Sequence, residues 1–213
     1  MTPDPIARVR VSLQEIEPEI WRRVDVPLAL SLKSLHEVIQ AAFGWLGLHL
    51  YEFRIGERRC GIPDPDWQPR RWDDRVRQAS SLKLAAIVGR GIDRFEYVYD
   101  FGDDWKHDVT IETTAAGEPD VDYPRFVAGA RRAPPEDIGG PFGFFDFLQA
   151  VSDPHHPQHR SVIEWHGGPY DPDDIDLPGI QEDLAVLAKR RRDGRFGYAK
   201  SQALGLKPYR GGR

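Results

Sequence analysis

Along "IARVRVSL" (residues 6–13), Val9, Val11 and Leu13 alternate with Arg8, Arg10 and Ser12, the period of two that marks a half-buried strand. "EIEPE" makes a turn, and "IWRRVDV" (20–26) returns as a second strand closed by Pro27, so a hairpin opens the chain. The period then changes. Ser31 suits a helix N-cap, Leu32, Leu35, Val38, Ile39, Ala42 and Phe43 share one helical face, and Gly44 ends it. "HLYEFRI" (49–55) goes back to alternation, with His49, Tyr51, Phe53 and Ile55 on one face of a predicted strand. "GIPDPDWQPRRWDD" (61–74) is too rich in proline and charge to be regular and reads as a surface loop. The apolar segment "SSLKLAAIVG" (80–89) fits no single period.

A second hairpin is predicted over 94–112. Phe95, Tyr97, Tyr99 and Phe101 form a face going up, and Trp105, Val109 and Ile111 form one coming down, with "GDD" (102–104) as the turn. "YPRFVAGA" (123–130) suggests one more strand, and "RRAPPEDIGG" (131–140) a loop. Helical spacing takes over afterwards. Phe144, Phe147, Leu148 and Val151 mark one helix, Val162, Ile163 and Trp165 another, and Ile180, Leu184, Leu187 and Ala188 a third. Strands first and helices last imply an α+β fold: a mainly antiparallel sheet built from hairpins and covered by helices, with a helical C-terminal third. No internal repeat interrupts that order.

Composition narrows the class. Hydrophobic residues make up 40% and charged residues 30% of 213, the balance of a water-soluble globular chain. No apolar run approaches the ~20 residues of a membrane span. The N-terminus has prolines and an acid where a signal peptide would be basic and apolar, so a cytoplasmic location is expected. Cys60 is the single cysteine, which excludes an internal disulfide and a cysteine-built zinc site. The net charge of −5 is unevenly spread: residues 189–213 hold nine basic side chains against Asp193 alone. This predicts one domain over 5–188 followed by a basic, flexible arm over 189–213, where Gly194, Gly197, Gly205, Gly211 and Gly212 oppose a helix. Such an arm allows weak, non-specific contact with nucleic acid, although the acidic body opposes it.

Several words of the sequence are familiar as a set. "PEIWRRVDVP", "LHEVIQAAFGW", "HLYEFRIG", "YVYDFGDDWKHDVTIE", "YPRFVAGARRAPPEDIGGP" and "HHPQHRSVIEWHGGPYDPDDID" occur in that order across residues 18–176. The chain thereby resembles the plasmid pRiA ORF-three-like family, also described as the TnpR-type passenger protein of an insertion element. The resemblance implies an α+β domain and, in some members, an association with mobile elements; it implies no particular reaction. Relatives carry cysteines flanking "AGAR" where this chain has Phe126 and Ala133, and often read "HLHEF" where this chain has Tyr51. A metal site built on that cysteine pair is therefore not expected.

Candidate chemistry gathers around "YDFGDDWKHDV" (99–109). Its "DFG" lacks the glycine-rich and His-Arg-Asp loops of a kinase, and Ser12 and Ser31 sit in a strand and at a helix cap with no serine-recombinase motif around either. Strand parity places His49 and His107 on the apolar side of the sheet, near Asp100, Asp103 and Asp104 of the turn, with Glu136 and Asp137 in a loop able to fold over it. His49, Glu52, Tyr99, Asp100, Asp103, Asp104, Trp105, His107, Glu136 and Asp137 are thus the candidate pocket, and His49, His107 and Asp103 the candidate ligands of a divalent metal. The competing reading makes each histidine a hydrogen-bonded core residue and each acid a turn former. His155, His156 and His159 form a second cluster, read as a solvated helix start. Two uses follow: an accessory or binding module for a small ligand or a protein partner, or a metal-dependent, hydrolase-like enzyme. Nucleic-acid association through the arm is a third.

Overall fold

The computed structural model describes residues 4–63 and 75–203, with side chains described to Gly194. The loop expected over 61–74 thus falls largely outside the described residues, as do most cations of the arm. The alternating segments form strands: β1 (Pro5–Leu13), β2 (Trp21–Pro27), β3 (Tyr51–Ile55), β4 (Arg58–Gly61), β5 (Val76–Gln78), β6 (Arg94–Tyr99), β7 (Trp105–Ala116) and β8 (Arg125–Ala130). They join in one sheet of order β5-β4-β3-β6-β7-β1-β2-β8. Only the β4–β5 pair is parallel. Among the described residues five α-helices accompany it: α1 (Leu32–Phe43), α2 (Leu84–Val88), α3 (Gly140–Ser152), α4 (His159–His166) and α5 (Leu177–Ala203).

The sheet has two unlike faces. On the inner one, Val9, Val11, Val24, Val26, Phe53, Phe95, Tyr97, Tyr99, Trp105 and Val109 are buried with the apolar stripe of α1. On the outer one, arginines pair with acids: Arg8 and Arg125 with Asp25 and Arg59 with Glu52 on adjacent strands, Arg23 with Glu112 across β1, and Arg54 with Glu52 along β3. Period-two sequences with valine on one parity and arginine on the other can do little else. Arg22 is an arginine on the valine parity, shared with Val24 and Val26, and points inward. It is buried, lies 5.1 Å over the Phe43 ring, and donates to the carbonyls of Ala42, Trp21 and Ala130. Those carbonyls include one from the last turn of α1, where the helix dipole favours a cation. Burial lowers its pKa to about 10.

α1 starts and stops as its sequence dictates. Ser31 Oγ accepts the Ser34 N–H at 3.2 Å, and Gly44 takes φ 70° while its N–H returns to the last turn. The segment 80–89, ambiguous by periodicity, is the short α2, preceded by a 3-10 turn at Ala79–Ser81. α5 continues as a helix past Gly194 and Gly197 to Ala203, inside the span 189–213 that the sequence suggested as a basic, flexible arm. Arg191 pairs with Asp4 at 2.8 Å and Arg192 pairs with Asp122, which ties the helix to the body just before Gly194. Phe147 packs edge-on against Trp165 and Tyr170, joining α3 to α4 and to the segment after it. The Tyr170 hydroxyl donates to the carbonyls of Arg132 and Ala133, so this helical layer fixes the start of the loop that carries Glu136 and Asp137.

Candidate functional site

Three segments converge on His49. The first is the loop 44–50, turned by the positive φ of Gly44 and Gly47. Because of it, β3 begins at Tyr51 and His49 lies ahead of the strand, off the inner face where parity had put it. The second is the turn between β6 and β7, which occupies Asp100–Asp104 rather than "GDD" alone. Asp100 and Asp104 both sit at φ 55°, a left-handed conformation that aspartate tolerates. The Asp100 carboxylate accepts the Gly102 N–H at 2.9 Å, and its own N–H donates to Leu50 O. Phe101, expected to face inward, is 50% exposed because the strand ends at Tyr99.

The third segment is the loop "APPEDIGG", and it does fold over the turn. Trp45 Nε1 donates to Pro134 O at 2.8 Å, and the Leu46 N–H donates to Glu136 at 2.8 Å. The Tyr99 hydroxyl reaches both Glu136 oxygens, at 3.0 and 3.2 Å, and accepts the Leu48 N–H. Gly139 N–H donates to Asp103 Oδ2 at 3.0 Å. Gly140, at φ 69°, packs so closely that a Cβ there would stand 2.5 Å from Asp103 O. That contact requires glycine.

Around His49 Nε2 these segments gather Asp137 at 3.0 Å, Asp100 at 3.6 Å and Glu136 at 3.8 Å. Nε2 is itself shielded from solvent, yet no acceptor lies along its N–H direction. The short distances are therefore ion-pair distances without a directed hydrogen bond. Among the described residues, His49, Asp100 and Asp137 offer ligand atoms all within 4.8 Å of one another. One imidazole and two or three carboxylates form a donor set for a divalent ion of the manganese, iron or zinc type.

Of the expected metal ligands His49, His107 and Asp103, the structure brings only His49 into this cluster. His107 is fully buried on β7, but its Nδ1 faces the backbone carbonyls of Trp105 at 3.1 Å and Tyr97 at 3.3 Å, which take its proton. Its ring stands edge-on to Phe43 and Trp45, and contacts run from His107 through Trp45 and Tyr99 to His49. Burial lowers its pKa to about 3. Asp103 serves the Gly139 amide instead. Asp104 pairs with Lys106 at 2.7 Å, and Glu52 lies on the outer face between Arg54 and Arg59. Trp105 is a buried core ring beside Trp45. Cys60 is buried on β4 with a raised pKa, from burial first, which suits a structural thiol. In the second cluster, His159 Nδ1 bonds Ala150 O and His156 Nδ1 accepts the Gln158 N–H. His155 precedes the helix, so 155 and 159 do not share a helical face.

A groove of about 710 Å³ runs past His49 between α1, α5 and the β3–β4 end of the sheet. Two of its residues, His36 and Gln40, escaped the sequence reading. They lie on the buried flank of α1, one turn apart, and a polar pair at i, i+4 beside an apolar stripe was the available signal.

A sequence model described as plasmid pRiA4b ORF-3-like protein matches residues 5–178. The chain is 42% identical over 164 residues to the uncharacterized protein y4hQ of Sinorhizobium fredii (strain NBRC 101917 / NGR234), covering 76% of this chain and 81% of that one. It is also similar in structure to a protein of unknown function, MM3350, from Methanosarcina mazei Go1. That crystal structure matches with a TM-score of 0.74 at 28% identity, over 86% of this chain and 98% of the other.

Proposed function

The chain belongs to the plasmid pRiA4b ORF-3-like protein family, and within it we propose that this member is an accessory binding module organised around a divalent cation. His49, Asp100 and Asp137 are its ligands, with Glu136 held beside them by Tyr99. The observation that carries this reading is the His49 Nε2 atom. It is sheltered from water and without a directed partner, and three carboxylates stand within 3.8 Å. Three acids this close repel one another unless a cation joins them. A cation that accepts the Nε2 lone pair satisfies both the imidazole and the acids. Three protein ligands leave coordination positions for a further ligand.

Manganese or zinc is therefore expected to raise the melting temperature of the wild-type chain in a saturable way, and His49→Ala or Asp137→Asn to abolish the shift. An equal shift in wild type and His49→Ala would defeat the reading. The nucleic-acid alternative draws less support. Of the arm's described cations, Lys189, Arg191 and Arg192 are paired with Asp193, Asp4 and Asp122. No helix among the described residues is long and apolar enough to cross a membrane.

A further inference from the structure

The floor of the groove is built from buried side chains whose hydrogen bonds fix what they can offer. Gln40 Oε1 accepts the Gly47 N–H at 2.9 Å, which sets the orientation of the amide. Gln40 Nε2 then donates to the Tyr97 hydroxyl at 3.0 Å. Tyr97 is fully buried and Gln40 reaches it as a donor, so among the described residues the acceptor for the hydroxyl proton is His36 Nδ1, 2.7 Å away. His36 must therefore carry its own proton on Nε2. The ring is held flat against Tyr51, with centroids 3.6 Å apart and planes 5° from parallel.

His36 is only 8% exposed and Tyr51 only 5%, and both line the groove. Among the described residues, neither His36 Nε2 nor the Tyr51 hydroxyl has a hydrogen-bond partner, and neither is sealed from solvent, unlike the Nε2 atoms of His49 and His107. A Cβ added to Gly47, on the groove wall, would lie 3.8 Å from His36 Nε2. Two donors on nine-tenths buried side chains thus open into one cavity. Lys33 and Arg190 line the same walls, and no described acid pairs with either. Glu37 and Asp183 also line it.

We propose that this groove binds a small molecule bearing an oxyanion, carboxylate or phosphate, which accepts from His36 Nε2–H and the Tyr51 hydroxyl and is neutralised by Lys33 and Arg190. The floor selects an acceptor because an Nε2–H imidazole has nothing else to give. Glu37 and Asp183 leave room for a cationic substituent on the ligand, but no buried group demands one. The size suits a metabolite-scale ligand. Burial first, then Lys33, lowers the pKa of His36 to about 4, so the donor is a neutral imidazole across the physiological range. His49 lines the same groove, but the anion donors are His36 and Tyr51 rather than the His49 cluster, and the site is tested without metal.

The imidazole resonances of His36 are to be followed by nitrogen-detected NMR in the full chain, with EDTA present and ionic strength matched by sodium chloride. Inorganic phosphate and succinate are titrated separately. A saturable shift at His36 Nε2 with one or both is expected, and the responding probe distinguishes phosphate from carboxylate. Arg190→Gln should weaken it about tenfold, the worth of one charge-assisted contact. Tyr51→Phe should weaken it several-fold, and Lys189→Gln should leave it unchanged. Because EDTA removes any divalent ion, a shift seen under these conditions does not depend on the cation reading. No saturable shift with either anion, or the same shift in Arg190→Gln and wild type, would overturn the proposal.

Discussion

Replacing His107 by phenylalanine separates a structural histidine from a functional one. The ring is fully buried against Phe43, Trp45 and Tyr97. Its Nδ1–H serves two carbonyls, and its Nε2 has no partner. At pH 7.5 the variant loses a hydrogen bond worth about 1 kcal/mol and sheds a buried unpaired nitrogen that costs about 1–3 kcal/mol. The larger ring adds a packing cost of similar size. The net change should stay within about 1–2 kcal/mol at neutral pH. Acid changes the comparison. Burial holds His107 down to about 3 from 6.5, so below 6.5 the unfolded wild-type chain takes up a proton that the native chain refuses. Native stability falls as pH drops from 6.5 toward 3, by about 1.4 kcal/mol per pH unit. Between pH 7.5 and 4.5 the wild type should therefore lose about 2–3 kcal/mol that His107→Phe does not lose. Urea unfolding of both chains at the two pH values measures the difference. Parallel losses would refute the buried neutral imidazole.

Gly140→Ala should detach the acidic loop from the β6–β7 turn, because its Cβ would meet Asp103 O at 2.5 Å and φ is 69°; a fall of about 2–4 kcal/mol is expected in denaturant unfolding. Asp25→Asn should cost about 1–3 kcal/mol at neutral pH. Burial raises the Asp25 pKa, but the hydrogen bonds and charges of Arg8 and Arg125 outweigh it, so the net pKa lies below 3.8. The wild type's advantage over Asp25→Asn should then persist to mild acid and vanish as pH falls through that lowered value. Removing residues 195–213 keeps the buried Ile180, Leu184 and Ala188 of α5, and the shortened chain should unfold cooperatively with a melting temperature within a few degrees of the full one.

Strand and helix identities were legible wherever one face met water and the other the core. Val9 against Arg10, or Val109 against Thr110, leaves only one register that buries valine. Parity also placed His107 inward, and there it is. Parity failed at His49 because Gly44 and Gly47 keep the chain turning until Tyr51, and a turn carries no period. It did hold for Arg22, which shares the face of Val24 and Val26, although an inward arginine is easy to overlook when the carbonyls awaiting it are distant in sequence. Convergence was the least legible property. Asp137 and Asp100 meet His49 only because Trp45, Tyr99 and Gly139 bind the acidic loop to the turn, contacts no single segment announces. The helix through Gly194 and Gly197 shows another limit, since helix propensity at one or two positions is a weak prior.

The central claim is that His49, Asp100 and Asp137 hold a divalent cation, and anomalous diffraction from crystals grown with manganese tests it most directly. A single strong anomalous peak within coordination distance, about 2.0–2.4 Å, of His49 Nε2 and of an oxygen from both Asp100 and Asp137 is the result the account predicts. No peak at that place in the wild-type chain, or one equally strong in His49→Ala, would contradict it.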